Sequence, residues 1–254
     1  MFISFKSICT FFYINASLWI IAYITPKTFF IGNIIRNVLL MEFIKVGTIH
    51  KEFISSRKSD ITENDFFYFF SSTFLQSLTE LVIEPFVVIK GSRFFVTFFV
   101  FFLFLFEIIL DFFHYTFHRF MHKRWYRFHK VHHTFTHPGV LNTYCHHPID
   151  LLLLECLPTF ITLWLFKGIF NCFQIKLLFV YKSFIEISGH SGKHIAPSSC
   201  FPLCVWLPRI LGIHLYTEDH DLHHNLSIIN FSKRFSLWDR VFGTYRRFNS
   251  LPEP

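Results

Sequence analysis

Charge-free apolar runs separated by short polar breaks dominate this 254-residue chain. Between Lys6 and Lys27 no charged residue occurs, and residues 8–25 approach the roughly 20 that carry a helix across about 30 Å of hydrocarbon. No small-residue cleavage site follows, so the run reads as a retained anchor rather than a removed leader. Residues 66–89 form a second apolar segment, weakened by Glu80, Glu84 and Pro85, that either spans or lies in the interface. A third covers 94–113, with Glu107 and Asp111 near its end. Residues 151–166 and 169–184 make a fourth and fifth, parted only by Lys167 and Gly168, and predict a helical hairpin. Residues 48–64 are a polar stretch. The pattern predicts an all-α fold, a multi-span membrane bundle.

Composition points the same way. Hydrophobic residues make up 52% of the chain, charged residues only 16%, and the mean hydropathy is +0.40, whereas a soluble domain carries about 25% charged residues. Phe fills 39 positions and alternates with Leu and Val in tracts such as 94–106, which reads as apolar filler rather than an aromatic binding box. The six cysteines show no C-x-x-C pair and lie within or beside apolar segments, as small buried hydrophobes do.

Histidine placement carries the chemistry. There are 16, and all but His50 fall between His114 and His224. The first group is His114, His118, His122, His129, His132 and His133. It lies in residues 92–137, which contain no Gly or Pro and so permit one continuous helix, with all six on a stripe about 100° wide. The second is His220-Asp221-Leu222-His223-His224, repeating the H-x-x-H-H spacing of His129 to His133; one helical turn is expected to present its three imidazoles to one side. Between them lies Gly189-His190-Ser191-Gly192-Lys193-His194. A single H-x-x-x-H arises by chance, but two H-x-x-H-H boxes with an H-x-x-x-H in one chain do not. The competing reading is a set of hydrogen-bonded histidines without metal.

An octahedral ion accepts six ligands and must leave positions open, so eight to ten histidines imply two ions. One zinc needs three or four. Neither the H-E-x-x-H of zinc proteases nor the Glu-x-x-His of carboxylate-bridged di-iron bundles is present. Imidazole suits iron, copper, nickel and zinc alike. Arg119, Lys123, Arg124, Arg127 and Lys130 interleave the first group, which puts it on the cytosolic side. The second box must reach the same metals, so an even number of crossings lies between His133 and His220, and the hairpin supplies two. Lys233, Arg234, Arg240, Arg246 and Arg247 place the tail on the same side. The net charge of +7 then reflects topology and anionic headgroups, not nucleic acid.

These residues resemble the fatty acid hydroxylase and sterol desaturase superfamily of membrane di-iron enzymes. Its three histidine boxes look like His118 to His122, His129 to His133 and His220 to His224. A further His-Ser-Gly element is similar to His190-Ser191-Gly192, and the closing signature resembles Phe231-Ser232-Lys233 with Trp238-Asp239-Arg240-Val241-Phe242-Gly243-Thr244. The likeness divides the chain into an N-terminal membrane anchor region (1–92), a catalytic domain (93–247) and a tail (248–254), with a cytosolic histidine-rich helical cap holding the di-metal site.

The resemblance implies nine ligands, His118, His122, His129, His132, His133, His190, His220, His223 and His224, with His194 a possible tenth. His114, His147 and Asp239 are expected to support them, and Asp111, Glu186, Glu218, Asp219 and Asp221 to orient imidazoles through the second ring nitrogen. His137 and His214 read as loop histidines. The implied cofactor is a pair of iron ions, zinc being an ion that a purified preparation can hold instead. The implied reaction is hydroxylation or desaturation of a membrane lipid, sterol or fatty acyl, by O₂ in the endoplasmic reticulum. No G-x-G-x-x-G occurs, so electrons come from a partner, a small haem protein fed by an NAD(P)H reductase. Two other classes remain open on the residues alone: a zinc hydrolase and a non-catalytic metal-binding membrane protein.

Overall fold

The computed structural model describes residues 5–55, 63–89, 95–195 and 200–248. Helices α1 (Phe5–Ile24), α2 (Phe29–Gly47), α3 (Glu63–Val87) and α4 (Val96–Arg124) come first. After two short turns, α6 (Pro148–Leu151) runs through a π-helical turn (Leu152–Cys156) into α7 (Leu157–Leu165), and α8 (Cys172–Gly189) returns. Between α4 and α6 lies the one-turn α5 (Tyr126–His129); after α8 come α9 (Trp206–Ile210), α10 (Thr217–Leu226) and α11 (Leu237–Val241). Two isolated bridges are the only extended pairings among the described residues.

Four helical stretches, 7–24, 64–87, 96–124 and 148–165, are long and apolar enough to cross a membrane. They match the first four apolar runs of the sequence. Their outward faces carry large apolar side chains such as Tyr23, Phe67, Phe101 and Leu165, each more than half exposed, a surface suited to hydrocarbon rather than water. The fifth run differs: α8 is the buried central helix, packed against α1, α2 and α10, with polar Lys182 and Glu186 buried on it. Its start is defined by Asn171, which accepts the Gln174 N–H at 2.9 Å while Gln174 accepts the Asn171 N–H in return. Gly168, at φ +77°, makes the hairpin turn that a side chain would strain.

Helix α2 was not anticipated. Arg36 and Asn37 interrupt its apolar run, yet both are buried, Arg36 in a bidentate pair with Glu80 (2.7 and 3.1 Å) and Asn37 bonded to Thr73. Polar pairs therefore zip α2 to α3.

Successive long helices alternate in direction. At one end, Thr25 accepts from Lys176 at the start of α8, Phe86 meets Trp164, and Phe99 meets Phe170. At the other, Thr48 accepts from Lys193, Phe69 meets Tyr144, and Phe11 meets Trp206. That second end holds the C-termini of α4 and α8, and hence the histidines. The hairpin thus brings the late box back to the early ones, as the crossing count requires.

The continuous helix that residues 92–137 permit does not form. Helix α4 stops at Arg124, Trp125 leaves helical geometry (φ −127°, ψ 32°), and the chain turns through α5 and a 3₁₀ turn at His132–Thr134. On a straight helix His114 and His133 would lie about 28 Å apart at 1.5 Å per residue. A stripe that long cannot converge on one centre; the break at Trp125 folds it back.

Candidate metal centre

Nine imidazoles converge in two adjoining groups at the end of the bundle. His118, His122, His129, His133 and His223 offer ring nitrogens all within 4.8 Å of one another; His132, His190, His220 and His224 do the same. The groups touch through His133 and His224, whose ring centres are 4.8 Å apart. All nine histidines named from the sequence are therefore brought together.

Each H-x-x-H-H box divides between the groups, which corrects the expectation that its three imidazoles share one side. His129 and His133 go to the first group and His132 to the second; His220 and His224 go to the second and His223 to the first. On a helical turn positions i and i+4 differ by about 40°, whereas i+3 lies about 100° from i+4, so it points to the neighbouring group. The two boxes reach across each other, and neither group is complete without both.

Second ring nitrogens set the tautomers. His118 Nδ1 donates to the Phe231 carbonyl (2.7 Å), His223 to Ile229 (2.6 Å), His190 to Glu186 (2.9 Å) and His224 to Phe135 (3.1 Å), while His129 Nδ1 bonds the Asp150 carboxylate (2.8 Å). Carbonyls only accept, so Nδ1 carries the proton and Nε2 is left with a bare lone pair. These Nε2 atoms meet those of neighbouring rings: the separation is 3.0 Å for His118 and His129, 3.2 Å for His133 and His223, 3.0 Å for His190 and His220, and 3.3 Å for His132 and His190, the Nδ1 atoms of His132 and His220 having no hydrogen-bond partner among the described residues. Bare lone pairs at such range repel unless a cation lies between them. Two nitrogens on one ion, with bonds of about 2.1 Å and angles of 90 to 109°, stand about 3.0 to 3.4 Å apart. The spacing thus fits metal ligation in both groups.

Burial drives the imidazole pKa values down. His132, His223 and His224 lie well below the ordinary 6.5, chiefly through desolvation and then through neighbouring imidazoles; His220 does so through desolvation and then the Lys233 charge, and His133 is pushed down to about 3. Neutral rings are the form that binds a metal. Lys233 Nζ stands 3.2 Å from both nitrogens of His190, and burial lowers it to about 8.

The remaining candidates fall outside the two groups. His194 is 41% exposed and bonds Glu218 at 2.7 Å. His114 packs 5.1 Å from His118 and bonds the Leu154 carbonyl within the π-turn. His147 caps α6, its Nδ1 accepting the Ile149 N–H. His137, expected as a bystander, pairs with Asp221 inside the last box at 2.9 Å. His50 and His214 join neither group.

Of the six acids expected to touch imidazoles, Asp111, Asp219 and Asp239 hold backbone, Glu186 pairs with Lys182 and Arg234, and Glu218 and Asp221 bond His194 and His137, outside the two groups. Asp111 accepts the N–H groups of Lys233, Arg234 and Phe235, and Asp239 those of Phe231 and Ser232. Residues 231–235 are irregular and buried, so their amides need acceptors; the two carboxylates thereby fix the carbonyl that orients His118. Asp219 similarly receives the Tyr216 and Phe248 amides. The carboxylate that orients an imidazole within the two groups was missed. Fully buried Asp150 takes His129 Nδ1 on one oxygen and His146 Nδ1 on the other (2.7 Å), and His146 stacks 4.3 Å from His132. Asp150 thus supports both groups at once. Its signal was the His146/Asp150 spacing of four residues across the helix-starting Pro148.

The fold and the donors define a class of proteins: helical bundles with membrane-length helices and a two-part centre built from histidine alone. A family model described as fatty acid hydroxylase matches residues 102–244, and the chain belongs to that family. Its relatives include a fatty acid hydroxylase, vlmA, of Lecanicillium sp (36% identical over 55% of this chain and 40% of the relative). Methylsterol monooxygenase 1 of Gallus gallus is 32% identical over 58% of this chain and 46% of its own length. The very-long-chain aldehyde decarbonylase GL1-9 of Oryza sativa subsp. indica is 26% identical over 66% and 60%. The aligned part therefore spans between 40% and 60% of these relatives. No solved structure matches the chain.

Proposed function

We propose that the chain is a membrane-embedded oxygenase that hydroxylates or desaturates a lipid, with two iron ions held by the nine clustered histidines. The observation that carries the proposal is the set of Nε2 atoms facing one another at 3.0 to 3.3 Å, with the Nδ1 protons of His118, His129, His190 and His223 committed to carbonyls and Asp150. Iron at this position would supply reductive activation of O₂ for attack on an unactivated C–H bond. His118, His122, His129, His133 and His223 would hold one ion, and His132, His190, His220 and His224 the other. Asp150 fixes the orientation of His129 and, through His146, the face of His132. Residues 231–235 and α10 exclude water from the groups.

The names of the relatives support a sterol or fatty acyl substrate, and a lipid already in the bilayer reaches the bundle without crossing water. Exposed Lys123, Arg124, Arg127 and Lys130 surround the histidine end and support a cytosolic orientation in the endoplasmic reticulum membrane. The same face suits an acidic haem protein, fed by an NAD(P)H reductase, as electron donor. The catalytic unit would be residues 93–247, the first 92 acting as its anchor.

The test is untargeted lipid mass spectrometry of cells producing the protein against a His223→Ala control, with metal analysis of tag-free protein. An oxidised lipid absent from the control, with two irons per chain, is expected. Active protein holding zinc and acting without O₂ would overturn the reading in favour of a hydrolase.

A further inference from the structure

Glu80 and Glu84 weaken an apolar run and play no part in the metal centre, yet ionisable residues inside a membrane are costly and tend to mark a pathway. They begin a file of polar groups through the middle of the bundle. At the end opposite the histidines, a cavity of about 140 Å³ is lined by Lys27, Glu84, Lys176, Arg36 and Glu80. The bidentate Arg36–Glu80 pair closes its inner side. That pair also lines a second, smaller cavity of about 20 Å³, with Gln76, Thr159, Glu155 and Lys182 on its other walls. Beyond it, Lys182 bonds Glu155 (2.9 Å) and Glu186 (2.7 Å), Arg234 bonds Glu186, and the Glu186 carbonyl accepts from His190 Nδ1.

Around the smaller cavity the polar atoms are not all paired. Gln76 Oε1, Thr159 Oγ1 and Arg36 Nε are buried without a hydrogen-bond partner among the described residues. A polar cavity of about 10 to 15 Å³ suffices for one water, provided that two to four polar partners surround it; the smaller cavity meets both conditions. The π-helical turn at Leu152–Cys156, a form frequent at functional sites, delivers Glu155 to it.

We propose that this file is a hydrated passage that brings protons from the end of the bundle opposite the histidines to the metal centre, with the Arg36–Glu80 pair as its constriction. The proposal rests on the oxygenase reading, in which R–H + O₂ + 2e⁻ + 2H⁺ gives R–OH + H₂O. The O–O bond and one C–H bond break, and the substrate and a one-electron donor protein supply two electrons each. The two protons must reach a centre whose histidines are almost all buried. Water held between Thr159, Gln76 and the charged pairs relays them inward.

Cys156 lines the small cavity and provides the probe, while Cys145, buried and bonded to Asp65, is the dry control. Hydroxyl-radical footprinting of the metal-loaded full chain in nanodiscs, read by mass spectrometry, is expected to oxidise Cys156 severalfold faster than Cys145. Thr159→Val alone, and together with Gln76→Leu, should remove that difference with metal content and melting temperature unchanged. Lipid product formed per minute should fall about three- to tenfold, with a larger solvent deuterium isotope effect. A Cys156 as inert as Cys145 in the wild type would refute the passage. Loss of the footprint with unchanged turnover and isotope effect would refute its role in proton supply. A wild type that forms no oxidised lipid would sink the oxygenase reading and the proton role with it, while the footprint would still report whether water is present.

Discussion

Replacing Asp150 with Asn perturbs the centre without changing its shape. The carboxylate accepts His129 Nδ1 at 2.8 Å and His146 Nδ1 at 2.7 Å, and it is fully buried. An amide offers one oxygen in place of two and turns an N–H toward the second imidazole. Either a buried N–H goes unpaired or His129 changes tautomer, moving its proton onto Nε2, where the lone pair is needed. Outer partners of this kind are worth about 10- to 100-fold in metal affinity or activity, or about 1.4 to 2.7 kcal/mol. Asp150→Asn should therefore lose metal to a chelator at about 10- to 100-fold lower concentration than the wild type, and form correspondingly less oxidised lipid. Graded chelation followed by metal analysis, with folding checked by circular dichroism, measures this. Wild-type metal retention in a folded Asp150→Asn protein would refute the assignment of Asp150 as the orienting group.

The two groups predict about two metal ions per chain, and a stoichiometry of one in active protein would contradict them. His132→Ala should lower product formation at least tenfold, whereas His194→Ala, half-exposed and paired with Glu218, should stay within about twofold of wild type in the same lipid assay. Phe101→Lys, on the outward face of α4, should impair membrane insertion by about 2.5 to 3.5 kcal/mol, while Phe53→Lys should leave insertion unchanged in a glycosylation-mapping assay. Folded-state pKa values of His132, His133, His220, His223 and His224 are depressed, so the unfolded chain takes up protons first as pH falls below about 6.5. Metal-free protein should keep its stability above that pH and lose it below, each histidine contributing up to about 1.4 kcal/mol per pH unit, His133 down to about pH 3. Thermal melts across pH 4 to 8 check the sign.

Much of the architecture was legible because a helix facing lipid announces itself by length and lack of charge. Four apolar runs became four membrane-length helices, and the need for both boxes at one end dictated the hairpin. Helix α2 escaped because its buried Arg36 and Asn37 look like surface residues until Glu80 and Thr73 on α3 are placed beside them. The fifth run was recognised as a helix, but α8 is wrapped by protein rather than lipid, and composition does not distinguish two apolar surroundings.

The histidine set was likewise written in spacing, since i, i+3 and i+4 define directions on a single turn. Spacing is local, however, and a metal centre is not. The break at Trp125, the division of each box between two groups, and the exclusion of His194 follow from where α4, α8 and α10 meet. Asp150 lies 21 residues from His129, a separation that carries no periodic signal, and only packing brings the pair to 2.8 Å. The sequence by itself determined the elements and the donors, through short-range stereochemistry and the solvent each face must meet. Which imidazoles share a group, and which carboxylate orients them, was decided by the tertiary structure, because those distances depend on helices far apart in the chain.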